Sequence, residues 1–192
     1  VWHVQRSGDS SYNALQFGGG NFGDLTVPGN YDGDHKTDYA VYRNGIWYIW
    51  QSSNSQVRVV SLGISTDKTV QGDYDGDGKT DVAVWRPSTG VWYVQNSSNG
   101  SYDIRQFGVD GDVPMTGDYD GDGRGDLAIW RPSTGVWYVW QTSDGVKIYQ
   151  FGVNGDVPLR EDTVATLVTV GITQGFNLST GSPEFPLLRS ED

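Results

Sequence analysis

The chain has 192 residues, a formal net charge of −11 and no cysteine. The lack of cysteine excludes disulfide bonds and thiolate metal sites, and an acidic chain without a basic stripe argues against a nucleic-acid partner. No apolar run reaches the roughly 18 residues of a membrane span, so we expect no membrane insertion. Aromatic residues make up 13% of the chain and glycine contributes 27 residues, which favours a folded protein of strands and tight turns.

A tryptophan-containing strand motif recurs at intervals of 45 residues. It reads VWHV, IWYI, VWYV and VWYV, and its tryptophans are Trp2, Trp47, Trp92 and Trp137. A second marker follows each motif and reads LQFG, VSLG, RQFG and YQFG in turn. Repeats of about 40–50 residues built from short strands are typical of propellers and related arrays. The last three tryptophans recur in phase, which favours a core between repeats.

The first predicted elements form half of a repeat. The strand around Trp2 and the segment SYNALQFG (11–18) correspond to the third and fourth strands of the repeats that follow. The first and second strands of this repeat are missing from the chain.

Three complete repeats follow, and the third shows their plan. A first strand at 113–118 leads into an acidic loop, a second strand lies at 126–130, a third at 136–140 and a fourth at 146–152. Pro and Gly in RPSTG supply the turn between the second and third strands. The third strand, VWYVW, is apolar on both faces, which predicts a sheet packed between two neighbours.

Another half repeat ends the array. VNGDVPLRED (153–162) matches a first strand, and TVATLVTVG (163–171) is compatible with a second. We therefore predict an all-β fold, a β-propeller of four-stranded antiparallel blades with three full blades and two complementary half-blades. The half-blades could close a ring within the chain, or pair head-to-tail with another molecule in a ring or filament. The propeller domain spans 1–171, and 172–192 is a non-repeat tail or interface arm.

Three acidic nine-residue loops separate the first and second strands of the full repeats. They read NYDGDHKTD at 30–38, DYDGDGKTD at 73–81 and DYDGDGRGD at 118–126. Side chains at positions 1, 3, 5 and 9 and the carbonyl at position 7 would surround a hard cation, and Ca²⁺ suits such an oxygen cage better than Mg²⁺. The predicted ligands are Asn30, Asp32, Asp34, Lys36, Asp38, Asp73, Asp75, Asp77, Lys79, Asp81, Asp118, Asp120, Asp122, Arg124 and Asp126.

The three predicted calcium sites are not equivalent. The first loop has Asn30 at position 1, which removes one charge, and His35 at position 6, where the others have glycine. Histidine tolerates a positive φ less well than glycine, so we expect the first site to be the weakest. The fourth repeat keeps Asp162 at position 1 and then loses the pattern, so we expect no metal there. The alternative to metal binding is a set of solvated acidic turns.

Several of these motifs resemble the FG-GAP/VCBS family of calcium-binding repeats. The resemblance rests on GDYDGDGKTDVAVW (72–85), GDYDGDGRGDLAIW (117–130) and the QFG triplets, and the WRPSTGVWYV stretches look like the bacterial form. It covers about residues 1–162. The resemblance implies a propeller with Ca²⁺ between strands one and two of each blade, in a secreted or cell-surface protein that binds glycans or proteins.

The leading functional hypothesis is a non-catalytic, calcium-stabilised extracellular module for adhesion or assembly. With two histidines (His3 and His35) and three glutamates, the chain shows no marked acid/base pair, so we expect no enzymatic activity. A lectin is the second hypothesis, with Trp50 and Trp140 as candidate ligand-binding residues because Gln95 replaces them in the middle repeat. A strand-complemented filament subunit and an accessory domain of a secreted carbohydrate-active enzyme are further alternatives.

Overall fold

The computed structural model describes residues 1–159. Within this range the chain forms short strands and one 3₁₀ helix at Gly20–Phe22. The strands are β1 Trp2–Gln5, β2 Tyr12–Leu15, β3 Leu25–Thr26, β4 Tyr39–Arg43, β5 Ile46–Trp50, β6 Val57–Ser61, β7 Lys68–Thr69, β8 Val82–Arg86, β9 Val91–Gln95, β10 Tyr102–Gln106, β11 Val113–Gly117, β12 Asp126–Arg131, β13 Val136–Gln141 and β14 Gly145–Gln150. No helix in residues 1–159 is long and apolar enough to cross a membrane.

The strands form three four-stranded antiparallel sheets and one two-stranded hairpin. The sheets are β3–β6, β7–β10 and β11–β14, each in chain order, and the hairpin is β1–β2. This arrangement confirms the predicted all-β repeat, the four-stranded plan and the N-terminal half repeat. Short turns and period-two apolar patterns favour such local antiparallel pairing.

The C-terminal half repeat falls mostly outside the described range. Residues 153–156 repeat the turn seen at 109–112, because Asp156 N–H donates to the Val153 carbonyl (3.2 Å) as Asp112 N–H donates to that of Val109 (3.1 Å). The rest of the predicted first strand, the predicted second strand at 163–171, Asp162 and the tail 172–192 lie outside the described residues. The described residues do not form a closed ring, so ring closure stays a prediction.

The hydrophobic core lies between consecutive sheets. Trp47 on β5 is fully buried in a cluster with Val82 and Val84 of the next sheet. Trp92 on β9 is fully buried in the equivalent cluster, against Ile129 of the third sheet. These contacts confirm that the in-phase tryptophans are core residues. Sheets stacked face to face in this way have the form of propeller blades.

The hairpin occupies the place of a third and fourth strand beside the first sheet. Trp2 packs edge-on against Tyr39 of β4, with ring centroids 5.3 Å apart. Its indole Nε1 donates to the carbonyl of Phe17 (3.0 Å), as Trp92 Nε1 donates to that of Phe107 (2.8 Å). The hairpin is therefore half of a blade whose other two strands are not among residues 1–159.

An ion pair fixes the start of each full sheet to the end of its second strand. In the second sheet, Arg86 Nε donates to Oδ1 of Asp67 and Arg86 Nη2 donates to Oδ2, and each donor–acceptor distance is 2.9 Å. Asp67 Oδ2 also accepts from Ile64 N–H (3.0 Å), and the guanidinium lies 4.7 Å from the ring centroid of Tyr93. We call this arrangement the arginine clamp. It recurs as Arg43 with Asp24 and as Arg131 with Asp112.

Candidate metal centres

Each acidic loop joins the first and second strands of a sheet. The loops at 30–38, 73–81 and 118–126 connect β3 to β4, β7 to β8 and β11 to β12. In the first two sheets an isolated bridge closes the loop at its base, Gly29 with Asp38 and Gly72 with Asp81. The loops therefore lie where the sequence predicts them, on a rigid sheet edge.

The loop backbone curls through the left-handed region at positions 4 and 6. In the second loop Gly76 and Gly78 have φ values of 77° and 82°. In the first loop position 6 is His35, with a φ of 63°. A side chain in this region costs conformational energy that glycine does not. The structure therefore confirms that His35 occupies a strained position.

The side chain at position 1 organises the curl by accepting backbone hydrogen bonds. Asp73 Oδ1 accepts from Gly76 N–H (2.7 Å), and its Oδ2 accepts from Gly78 N–H (2.8 Å). Asn30 has only one oxygen, which accepts from Gly33 N–H (2.9 Å), while its Nδ2 donates to the Gly78 carbonyl in the next loop (3.2 Å). The first loop thus has one acceptor fewer inside its curl.

Hydroxyl side chains from the turn between the third and fourth strands contact positions 3 and 5. In the second sheet Ser98 Oγ donates to Asp75 Oδ2 (2.6 Å) and Ser97 Oγ donates to Asp77 Oδ1 (2.9 Å). Ser52, Thr142 and Ser143 make the related hydroxyl contacts in the other sheets, whereas Ser53 donates its backbone N–H to Asp32 (3.0 Å). These residues are not among those predicted from the sequence, although a hydroxyl pair recurs in this turn with the 45-residue period. Such contacts orient candidate ligands from outside.

The aspartate at position 9 is fully buried in all three loops. Asp81 Oδ2 accepts from Tyr74 N–H (2.8 Å), and its Oδ1 accepts from Ser97 N–H (2.6 Å). Asp38 and Asp126 make the same pair of backbone contacts. Burial is the main cause that raises the pKa of each of these carboxyls, and neighbouring loop carboxylates raise it further. Position 9 therefore ties the loop to the turn that carries the hydroxyl pair.

Carboxylate oxygens converge in each loop. Oxygens from three aspartates lie within 4.8 Å of one another in three groups, which are Asp32, Asp34 and Asp38; Asp73, Asp75 and Asp81; and Asp118, Asp120 and Asp122. The groups do not include Asp77 or Asp126, although both belong to the predicted ligand set. An all-oxygen donor set of this kind fits a hard cation such as Ca²⁺.

The first loop also carries an internal ion pair. Lys36 Nζ lies 2.8 Å from Asp34 Oδ2, and this contact is the main cause that lowers the pKa of Asp34 to about 2. The lysine ammonium group thus contacts a carboxylate oxygen that a cation would use. This contact adds to the differences at Asn30 and His35 that distinguish the first loop.

A family model described as an FG-GAP-like repeat matches residues 73–129. The chain carries an FG-GAP-type repeat. The match begins at the first residue of the second acidic loop and ends within β12, so it contains both complete loops. Repeats of this type are typically extracellular. No curated protein and no solved structure shows a significant match to the chain.

Neighbouring acidic loops are hydrogen-bonded to each other. Gly125 N–H of the third loop donates to the Asp73 carbonyl of the second (2.5 Å). In the same way Thr80 N–H of the second loop donates to the Asn30 carbonyl of the first (2.8 Å). The three loops therefore form a continuous series rather than isolated turns.

The two tryptophans predicted to bind a ligand lie between sheets and are half-buried. Trp50 packs edge-on against Phe17, and Trp140 packs edge-on against Phe107, with ring centroids 5.8 and 5.7 Å apart. Trp140 also lines a cavity of about 210 Å³ between the second and third sheets, with Asp103, Arg105 and Arg124. Their role in ligand binding stays a prediction.

Proposed function

We propose that the protein is a calcium-stabilised, non-catalytic extracellular module that binds a protein or glycan partner in adhesion or assembly. The observation that carries this proposal is the convergence of three carboxylates within 4.8 Å in each of three loops. The FG-GAP-type repeat supports a binding or adhesion module that acts outside the cell. The bacterial, secreted or cell-surface origin expected from the sequence belongs to the same proposal.

The loop chemistry favours calcium as the stabilising ion. Ca²⁺ takes six to eight oxygen ligands at about 2.3–2.6 Å, and the loops offer carboxylates, the Asn30 amide oxygen and the position 7 carbonyls of Lys36, Lys79 and Arg124. A bound ion would neutralise carboxylates that otherwise repel one another, so ion binding and folding are coupled. We expect about three ions per chain, with the first loop weakest.

Calcium binding is tested by titrating CaCl₂ into the chelator-treated full chain in a calorimeter. We expect about three ions and a higher melting temperature with calcium than with EGTA. Asp77→Asn and Asp122→Asn should each weaken one site, whereas Asp110→Asn, an exposed charge outside the loops, should leave binding unchanged. The absence of binding heat together with an unchanged melting temperature in EGTA would contradict the proposal.

A lectin is the second candidate function, and the cavity beside Trp140 favours it. An aromatic ring and a few charged groups, here Asp103, Arg105 and Arg124, are the kind of lining that fixes a sugar, although the Arg105 guanidinium lies over the Trp140 ring, 5.2 Å from its centroid. A glycan array probed with the full chain in CaCl₂ tests this function. We expect Trp140→Ala to abolish any glycan signal, while Trp50→Ala, at the equivalent place in the first sheet, serves as the matched variant. Binding to no glycan would remove the lectin candidate.

A further inference from the structure

The chain contains a fourth copy of the aspartate that the arginine clamp holds. The turn VNGDV at 153–157 repeats VDGDV at 109–113. Asp156 Oδ2 accepts from Val153 N–H (2.8 Å), as Asp112 Oδ2 accepts from Val109 N–H (2.9 Å). The geometry that presents the carboxylate to an arginine is therefore formed in the fourth repeat.

Asp156 differs from its three counterparts in having no cation. Only 5% of its surface is exposed, yet no lysine or arginine among residues 1–159 forms an ion pair with it. In the three clamps both carboxylate oxygens receive an arginine N–H. A buried carboxylate is costly without a counter-charge. The fourth repeat therefore has an acceptor prepared for a guanidinium.

The sequence that follows does not supply this arginine in the register of the repeats. Each clamp joins residues 19 positions apart, and the residue 19 positions after Asp156 is Gly175. The predicted second strand, 163–171, has no lysine or arginine. Arg160 is only four residues beyond Asp156, and Arg189 follows Pro186, which cannot occupy a central strand. The clamp arginine is therefore not encoded at the position that the repeats predict.

An apolar cavity borders the third sheet and also residues 28–29 and 69–72 of the other two sheets. It has a volume of about 1330 Å³ and is lined by Met115, Val139, Tyr149, Phe151 and Leu159, among others. Tyr149 is 50% exposed and Phe151 is 42% exposed. In the second sheet the corresponding face is covered by the apolar side chains of β12 from the next sheet. The third sheet thus presents a face suited to another apolar strand.

A buried donor on the third sheet also differs from its counterpart on the second. Trp130 Nε1 is buried and has no hydrogen-bond partner among residues 1–159. The corresponding Trp85 Nε1 donates to the carbonyl of Phe107 (3.1 Å). The equivalent carbonyl in the third sheet, that of Phe151, accepts from Trp137 Nε1 (3.1 Å).

We propose that Asp156 and the apolar face of the third sheet form an acceptor site for an extended apolar segment ending in arginine, donated by a partner polypeptide. The clamped strands of this chain define the recognised chemistry, since AVYR, AVWR and AIWR each place the arginine after an apolar run. The arginine pairs with Asp156 through two parallel hydrogen bonds, and the apolar residues pack on that face. This inference deepens the assembly role proposed above by naming the partner's chemistry, and it does not depend on calcium in the loops.

The test uses a fluorescein-labelled peptide with the sequence GDLAIWRPSTG, which is residues 125–135 of this chain. Fluorescence anisotropy with the full chain in CaCl₂ should show saturable binding. Replacing the peptide arginine with glutamine, or Asp156→Asn in the protein, should each weaken binding about tenfold or more. The Asp156→Asn protein should bind the arginine and glutamine peptides equally. Asp110 is the exposed residue in the equivalent turn of the third repeat, and the Asp110→Asn protein should bind like the parent.

Equal binding of both peptides by the parent chain, or no binding of either, overturns the acceptor site. The calcium titration of the Asp156→Asn protein verifies that the variant folds. If the parent chain takes up calcium normally but does not bind the peptide, this inference fails while the calcium proposal stands. If peptide binds only after Arg189→Gln or Arg160→Gln, the chain's own C-terminal segment fills the site, and the partner assignment is wrong.

Discussion

Asn30 and Thr80, in the first and second acidic loops, bind each other reciprocally. Asn30 N–H donates to Thr80 Oγ1 (2.9 Å), and Thr80 N–H donates to the Asn30 carbonyl (2.8 Å). The third loop has Gly125 in the place of Thr80, so only the backbone half of the contact recurs there. A side-chain contact thus strengthens one junction between loops and not the other.

Thr80→Ala should therefore destabilise the fold by about 1 kcal/mol, because Asn30 N–H loses its hydroxyl acceptor. Urea denaturation in CaCl₂ measures the change in the free energy of unfolding. Thr66→Ala, at an exposed turn residue, is the matched control and should have little effect. Equal effects of the two substitutions would show that the reciprocal contact contributes nothing.

Repairing the first loop should strengthen its calcium site. Asn30→Asp restores a charge and a second acceptor oxygen, and His35→Gly removes a side chain from a residue with a φ of 63°. We expect the calcium dissociation constant of the weakest site to fall about tenfold, since ligand charge tunes affinity in such loops. Calorimetric titration of the double variant measures this. If the dissociation constants of the tighter sites change instead, the first loop is not the weakest site.

The hydroxyl contacts from outside the loop should matter for metal affinity. Ser98→Ala removes the 2.6 Å hydrogen bond to Asp75 and should weaken calcium binding at the second loop about tenfold, because such contacts orient the ligands. Ser88→Ala, in an exposed turn of the same sheet, is the control. A Ser98→Ala protein with unchanged calcium affinity but lower stability would assign the serine a purely structural role.

Acid should weaken the first arginine clamp. Hydrogen bonding from Arg43 is the main cause that lowers the pKa of Asp24 below its ordinary 3.8. A carboxyl whose pKa is lower in the folded state contributes stability that is present above its unfolded pKa and lost as pH falls below it. Between pH 6 and pH 3, the parent should therefore lose more stability than Asp24→Asn.

Urea denaturation of both proteins at the two pH values measures this difference. Asp110→Asn, which lies outside the clamps, should follow the parent. Parallel losses in Asp24→Asn and the parent would mean that Asp24 does not contribute to the pH dependence of stability.

The sequence predicts the sheets well because the information is local. Trp47, Trp92 and Trp137 recur in phase, and alternating apolar residues with Pro and Gly turns determine the hairpins. The placement of the acidic loops between first and second strands follows from the same repeat. The positive φ of His35 was predictable because glycine occupies that position in the other two loops.

Contacts between distant residues were not predictable in this way. Serine is common in turns, so nothing local indicates that Ser98 reaches Asp75 across 23 residues. The clamp between Arg86 and Asp67 spans 19 residues and depends on the pairing of two strands. An alignment of the three repeats on their period marks all of these residues, but only the folded structure shows that they meet.

The hydrogen bond from Gly125 N–H to the Asp73 carbonyl uses main-chain atoms alone. Every repeat has both a donor at position 8 and an acceptor at position 1, whatever side chains these positions bear. A duplicated repeat inserted into the array would bring both halves of this junction with it. At this junction, therefore, a whole unit can be added without a matched pair of new side chains.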